Sequence, residues 1–151
     1  MPFLNRLITI SLLCGALNVK AEVASFEGTY DMKLSIGDRA FNDVMELKGE
    51  FNRLDMLSAD YDVLGQITVP NVFTAPLKGT LSSNVAYKLA YLRFSIVARE
   101  NGQEFNVFYE ADINFSDYDK ILRHEMPVTF YGNAYLDNRK LLGPFKAVKR
   151  E

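Results

Sequence analysis

The sequence has few of the residues on which enzymes and metal sites commonly depend. Among its 151 residues there is one cysteine, one histidine and no tryptophan. A zinc site would therefore need carboxylates, because zinc is held mainly by cysteine and histidine. The Gly-x-Ser-x-Gly turn typical of many hydrolases does not occur. We predict no catalytic residue, metal ligand or cofactor, and hence a protein that is not an enzyme. The remaining enzymatic candidate, an acid–base pair of Asp43 and His124, requires the fold to bring those residues together.

No apolar run is long enough to cross a bilayer as a helix, which takes about 20 residues. Residues 1–21 instead have the pattern of a secretory signal peptide. Arg6 supplies a positive charge, residues 7–17 are mainly apolar, and Val19-Lys20-Ala21 precedes the expected cleavage point. We therefore expect one mature domain, 22–151, in the periplasm of a bacterium or secreted, and not spanning the membrane.

The single cysteine, Cys14, raises the alternative of a lipid-anchored N-terminus. Ser11-Leu12-Leu13 precedes it, which fits a lipoprotein signal poorly, so lipid anchoring at Cys14 is disfavoured. Cleavage after Ala21 removes two of the 17 lysine and arginine residues and none of the 19 acidic ones, so the net charge moves from −2 to −4. An acidic domain without a clustered basic face predicts no nucleic-acid partner.

The clearest structural pattern is a β-hairpin over 92–115 that turns at Asn101-Gly102. Asn-Gly favours a two-residue turn because both central residues need positive φ. The resulting register places apolar residues opposite apolar ones, and Arg93 and Arg99 opposite Glu110 and Glu104. The expected apolar pairs are Leu92 with Ala111, Phe94 with Tyr109, Ile96 with Val107, and Ala98 with Phe105.

Alternating apolar and polar residues predict six further strands. With the hairpin strands, the predicted set is 26–36, 41–51, 61–69, 73–81, 92–100, 103–115, 128–136 and 141–147. The alternation stops over 52–60, which predicts a loop or short helical turn, and 82–84 and 116–120 are predicted loops. Residues 85–91 alternate on odd numbers and the phase changes to even numbers from Leu92, which indicates a β-bulge inside one strand. No segment predicts a helix convincingly.

Eight successive strands joined by short turns predict an all-β, antiparallel up-and-down meander barrel. Six glycines fall on the apolar phase of strands, where glycine permits the bends that close a small barrel: Gly28, Gly49, Gly65, Gly79, Gly132 and Gly143. This architecture resembles that of lipocalin-like and streptavidin-like barrels. A β-sandwich is the alternative. An outer-membrane barrel would place small residues on the polar, lumen side, whereas these glycines follow the apolar side.

Five residues are candidates for binding a ligand in the mouth of the barrel: Tyr30, Asp43, Tyr87, Tyr91 and Tyr109. Tyrosine offers an apolar wall with one polar group. Asp43 interrupts the apolar phase just after a turn, so we expect it to lie solvated at the rim of the barrel; the alternative is a ligand anchor inside the mouth.

Two functions follow from the pattern. The first is a non-enzymatic protein that binds a small hydrophobic or amphipathic ligand, such as a lipid. The second is a solid barrel that acts through segments 52–60 and 82–84 as an interaction module or enzyme inhibitor of the cell envelope. An interior void of a few hundred Å³ favours the first, because small-molecule sites have about that size.

Overall fold

The computed structural model describes residues 26–54, 57–137 and 139–151. The predicted signal peptide and Cys14 lie outside these residues. Eight antiparallel strands form a closed barrel in which each strand pairs with the next and the last pairs with the first. The strands are β1 (Gly28–Ile36), β2 (Arg39–Leu54), β3 (Ser58–Val69), β4 (Phe73–Asn84), β5 (Leu89–Glu100), β6 (Gln103–Asp112), β7 (Thr129–Leu136) and β8 (Leu141–Lys149). The predicted up-and-down barrel is confirmed.

The central hairpin has the register that the sequence predicts. Asn101 and Gly102 both have positive φ, at 51° and 78°. All four predicted apolar pairs form, from Leu92 with Ala111 to Ala98 with Phe105. Arg99 and Glu104 lie opposite each other and form an ion pair on the outer face. Turn chemistry and apolar pattern were thus sufficient to determine this register, since a slip by one residue would expose the apolar face.

Two segments predicted as loops are strand instead. β2 continues to Leu54 and β3 begins at Ser58, so most of 52–60 belongs to a long hairpin. The pairing of β2 with β3 shifts register between Phe51 and Arg53. Such an irregularity inserts an extra residue without ending the strand, and the alternation of the sequence therefore breaks there. Segment 82–84 likewise continues β4, because small Ser83 is buried like the apolar residues before it.

The predicted bulge between Tyr91 and Leu92 was also wrong. β5 begins at Leu89, and its inward residues are even-numbered from Ala90 onward. Val85 and Tyr87 belong to the preceding turn, so their alternation has no structural meaning. The Asn84 side chain accepts a hydrogen bond from the Tyr87 backbone N–H at 3.1 Å within that turn.

The connection between β6 and β7 contains a short helix where the sequence predicted a polar loop. A 3₁₀ turn, Phe115–Asp117, leads into α1 (Tyr118–Leu122). Tyr118 and Ile121 are three residues apart, so they share one helix face, and both are buried in the core. The Lys88 ammonium forms an ion pair with Asp119 and ties the β4–β5 turn to α1. One turn of helix is too short to show a period in sequence, and packing against the barrel stabilises it.

Inward glycines allow neighbouring strands to approach closely. A Cβ atom on Gly79 would lie 1.9 Å from the backbone oxygen of Arg93, and one on Gly132 would lie 1.9 Å from that of Glu110. Their cross-strand partners are Phe94 and Ala111. A side chain at either position would force the strands apart, which explains why glycines occur on the apolar phase.

The end of the barrel that α1 adjoins is filled with side chains. Phe130 is fully buried, and its ring centroid lies 5.9 Å from those of Phe26 and Tyr30. The buried hydroxyl of Tyr30 donates a hydrogen bond to the Phe26 carbonyl at 2.6 Å. A buried hydroxyl left without a partner would be costly, so this bond allows a polar atom in the packed end. We call this half the closed end.

Candidate functional site

The opposite half of the barrel, which we call the open end, contains a cavity of about 730 Å³. Four turns surround its mouth, those that join β1 to β2, β3 to β4, β5 to β6 and β7 to β8. Its volume falls within the range of about 300–1,000 Å³ typical of small-molecule sites. The lining residues are Leu34, Ile36, Phe41, Asp43, Val69, Val72, Phe73, Ile96, Ala98, Arg99, Glu100, Phe105, Val107, Tyr109, Leu136, Asp137 and Leu142.

Aromatic rings form the floor of the cavity. The rings of Tyr109 and Phe94 stack with centroids 4.6 Å apart and planes 11° apart. Phe145 meets the Tyr109 ring edge-on, with centroids 5.3 Å apart and planes 83° apart. Tyr109 lines the cavity, whereas Phe94 and Phe145 do not. The cluster therefore separates the hollow open end from the filled closed end.

Asp43 lies at this floor. It is on β2 opposite Met32, and the next inward residue of β2, Met45, is fully buried and does not line the cavity. The Asp43 side chain thus points inward, and the residue is only 5% exposed. Its buried Oδ1 atom has no hydrogen-bond partner among the described residues. Burial disfavours the charged carboxylate and raises the Asp43 pKa to about 6.

Tyr109 is the polar neighbour of Asp43 across the barrel. β2 and β6 are four strands apart, so they face each other in a closed sheet of eight. The pKa of the Tyr109 hydroxyl is raised first by burial and second by the negative charge of Asp43. A carboxylate and a phenol at the base of an apolar cavity are a polar site of the kind that orients a ligand.

Charged residues at the mouth are mostly acidic. Glu100 and Asp137 contribute to the lining together with Arg99. Arg99 is paired with Glu104 on the outer face, whereas the Asp137 carboxylate accepts a hydrogen bond from the Asn106 backbone N–H at 2.7 Å. Counting Asp43, three acidic residues and one paired base line the cavity, so its electrostatic character is negative.

The structure brings together two of the five predicted ligand-binding residues. Asp43 and Tyr109 line the cavity. The expectation that Asp43 lies solvated at the rim is wrong, because the residue is buried at the cavity floor. Tyr30 points inward but belongs to the closed end, beside Phe130. Tyr87 is 73% exposed in the β4–β5 turn, and Tyr91 faces outward, where the Arg93 guanidinium lies 5.0 Å from its ring centroid. These three residues do not line the cavity.

Most of the apolar wall was not singled out from the sequence. Ile96, Ala98, Phe105 and Val107 belong to the central hairpin and lie in the half nearest its turn. Their apolar phase was recognised, but the same phase continues into the closed end. The sequence nevertheless contained enough information to group these residues. In an up-and-down barrel, the turns β1–β2, β3–β4, β5–β6 and β7–β8 all lie at the same end, so the inward residues next to them must lie at that end too.

The enzymatic candidate has no geometric support. His124 is exposed in the β6–β7 connection beside the closed end, whereas Asp43 lies in the open end. Within the residues that the structure describes, no cluster of three or more His, Cys, Asp and Glu side chains is arranged to hold a metal ion. None of the described helices is long and apolar enough to cross a membrane.

The fold and the cavity thus define a closed eight-stranded antiparallel barrel with an apolar site at one end. Comparison with known proteins gave no match to any protein-family model, curated protein or solved structure.

Proposed function

We propose that this protein binds a small hydrophobic or amphipathic molecule in the open end of its barrel and performs no chemistry on it. The observation that carries the proposal is the cavity of about 730 Å³, whose wall is mainly apolar. Exposed apolar surface in a concave site favours an apolar ligand, at about 25 cal/mol for each Å² that the ligand removes from water.

The packed core below the cavity indicates that the site is formed before a ligand binds. The closed end and the aromatic floor pack tightly below the cavity, so the wall is held by strands that continue into a filled core. A ligand therefore need not order the site, which lowers the cost of binding.

Replacement of Ala98 tests the proposal directly. Ala98 lines the cavity on β5, so Ala98→Phe should fill part of it. Val97 is the next residue, 48% exposed on the outer face, and Val97→Phe adds a similar side chain outside. The neutral fluorescent probe N-phenyl-1-naphthylamine reports binding. We expect Ala98→Phe to weaken binding at least about tenfold and Val97→Phe to change it less than about twofold.

Two results would contradict the proposal. One is that the wild-type protein does not bind the probe or any lipid extracted with the protein from its source. The other is that Val97→Phe weakens binding as much as Ala98→Phe, which would locate the apolar binding surface on the outside of the barrel.

We also propose that the protein acts in the periplasm or outside the cell. This rests on the signal-peptide pattern of residues 1–21. Mass determination of protein expressed in a bacterium tests it, because cleavage after Ala21 leaves Glu22 as the first residue. An intact N-terminus and a cytoplasmic location would contradict export.

An interaction module of the cell envelope is a second candidate, and the outer face of β5 and β6 supports it. Val97 and Phe108 are 48% and 42% exposed there. Exposed apolar side chains close together often mark protein contacts. Capture of an envelope protein by the wild type that is lost in Phe108→Ser and kept in Ala98→Phe would favour this function over ligand binding.

A further inference from the structure

The floor of the cavity contains a polar atom that the protein itself leaves unsatisfied. Asp43 is 5% exposed, and its Oδ1 has no hydrogen-bond partner among the described residues. A buried acceptor without a partner is unfavourable, and more so when it is charged. Because this atom lies at the base of an open cavity, a ligand that reaches the floor can supply the missing partner.

Three kinds of head group would meet Asp43 differently. A plain hydrocarbon would bury the carboxylate further and leave Oδ1 unpaired. An anionic head would be repelled by Asp43 and by the mouth residues Glu100 and Asp137. An ammonium group would donate hydrogen bonds and neutralise the charge, and charge-assisted hydrogen bonds are about twice as strong as neutral ones.

We propose that the ligand is an amphiphile with one cationic head, which binds the Asp43 carboxylate at the cavity floor while its hydrocarbon tail extends along the apolar wall to the mouth. The inference rests on the proposed function and adds to it the charge and the orientation of the ligand. Tyr109 completes the floor and lies near enough to Asp43 to sense its charge. Its stacked ring with Phe94 is a flat apolar surface against which the methylene next to the ammonium packs.

Three ligands with the same chain test the head group. Dodecylamine, dodecanol and dodecanoate are titrated below their aggregation limits into the purified protein at neutral pH, with binding measured by calorimetry. We expect dodecylamine to bind at least about tenfold more tightly than dodecanol, and dodecanoate to bind most weakly.

The Asp43→Asn variant tests the residue. It keeps the shape of the side chain and removes the charge, so the preference for the amine over the alcohol should fall to less than about twofold. Asp38→Asn is the matched control, because Asp38 is an exposed carboxyl in the β1–β2 turn at the same end of the barrel and does not line the cavity. It should keep the wild-type preference. Circular dichroism establishes that each variant is folded.

The outcomes separate this inference from the proposed function. If dodecanol and dodecylamine bind equally well and Ala98→Phe weakens both, the cavity binds apolar ligands and the cationic head is disproved. A preference for the amine that survives in Asp43→Asn also disproves it. If none of the three compounds binds, both the inference and the proposed function fail.

Discussion

The two ends of this barrel are made by the same eight strands and the same in–out alternation, yet one is filled and the other is hollow. At the closed end, Phe26, Tyr30 and Phe130 pack together and α1 adds Tyr118 and Ile121. At the open end, the inward residues line a cavity and Asp43 replaces an apolar side chain. Alternation therefore specifies the wall of the barrel, whereas the long β6–β7 connection adds side chains that fill only one half of it.

Truncation of an aromatic side chain should distinguish the two ends most strongly. Phe130→Ala removes a fully buried ring at the closed end and should lower the free energy of unfolding by about 4 kcal/mol. Phe105→Ala removes a half-buried ring from the cavity wall and should cost about 1 kcal/mol, because no new void is created in packed surroundings. Urea unfolding monitored by circular dichroism measures both. Equal losses would mean that the open end is packed in solution.

Replacement of a small inward residue by a large one should also affect the stability of the two ends differently. Ala90 is fully buried at the closed end, and Ala90→Phe should cost about 3 kcal/mol through overpacking. Ala98→Phe places the same side chain in the cavity and should change stability by less than about 1 kcal/mol. Thermal unfolding of the two variants under one set of conditions provides the measurement. A similar loss for both would argue against a preformed cavity.

The charge of Asp43 should make stability depend on pH. Its pKa is about 6 in the folded protein and 3.8 ordinarily. Between these values the folded state keeps a proton that the unfolded state has lost, so the free energy of unfolding falls as pH rises through this window. The fall should amount to about 3 kcal/mol and should be missing in Asp43→Asn.

Urea unfolding of wild type and Asp43→Asn at several pH values from about 4 to about 7 checks this expectation. The variant should be the more stable protein at neutral pH, and the difference should shrink toward acid. Asp38→Asn serves as the control for the loss of one negative charge. Parallel curves for wild type and Asp43→Asn would show that solvent or another group satisfies the carboxylate.

The ion pair at the closed end should have the smallest effect. Lys88 and Asp119 are partly exposed, and such pairs contribute about 0.5 kcal/mol or less. Lys88→Ala should therefore lower stability by about that amount, and the loss should shrink at high salt. Lys78→Ala removes an equal charge from the outer face of β4 as a control. A loss above about 2 kcal/mol would mean that Lys88 holds α1 in place through more than this pair.

The accuracy of the sequence predictions differed along the chain for physical reasons. The Asn101-Gly102 hairpin has the predicted register, from Leu92 opposite Ala111 to Ala98 opposite Phe105. Short turns constrain register locally. The predictions were wrong where the pairing of β2 with β3 shifts register between Phe51 and Arg53, and where tertiary packing produced α1.

Of the candidate site, the sequence identified Asp43 and Tyr109 but placed Tyr30, Tyr87 and Tyr91 beside them. An inward or outward direction follows from alternation, but the depth of a residue along the barrel does not. Tyr87 was misplaced because its turn happens to continue an alternating pattern, so that it mimicked a strand.

Eight strands, their antiparallel order and the apolar face of each strand follow from the sequence, because turns and a period of two are local properties of the chain. The folded barrel was needed to reveal that one end is filled and the other hollow, and that an unpaired carboxylate lies at the boundary. Whether one level of the barrel is filled depends on side chains from different strands and from α1 that pack together there. These side chains are far apart in the sequence, so no single segment predicts their contact.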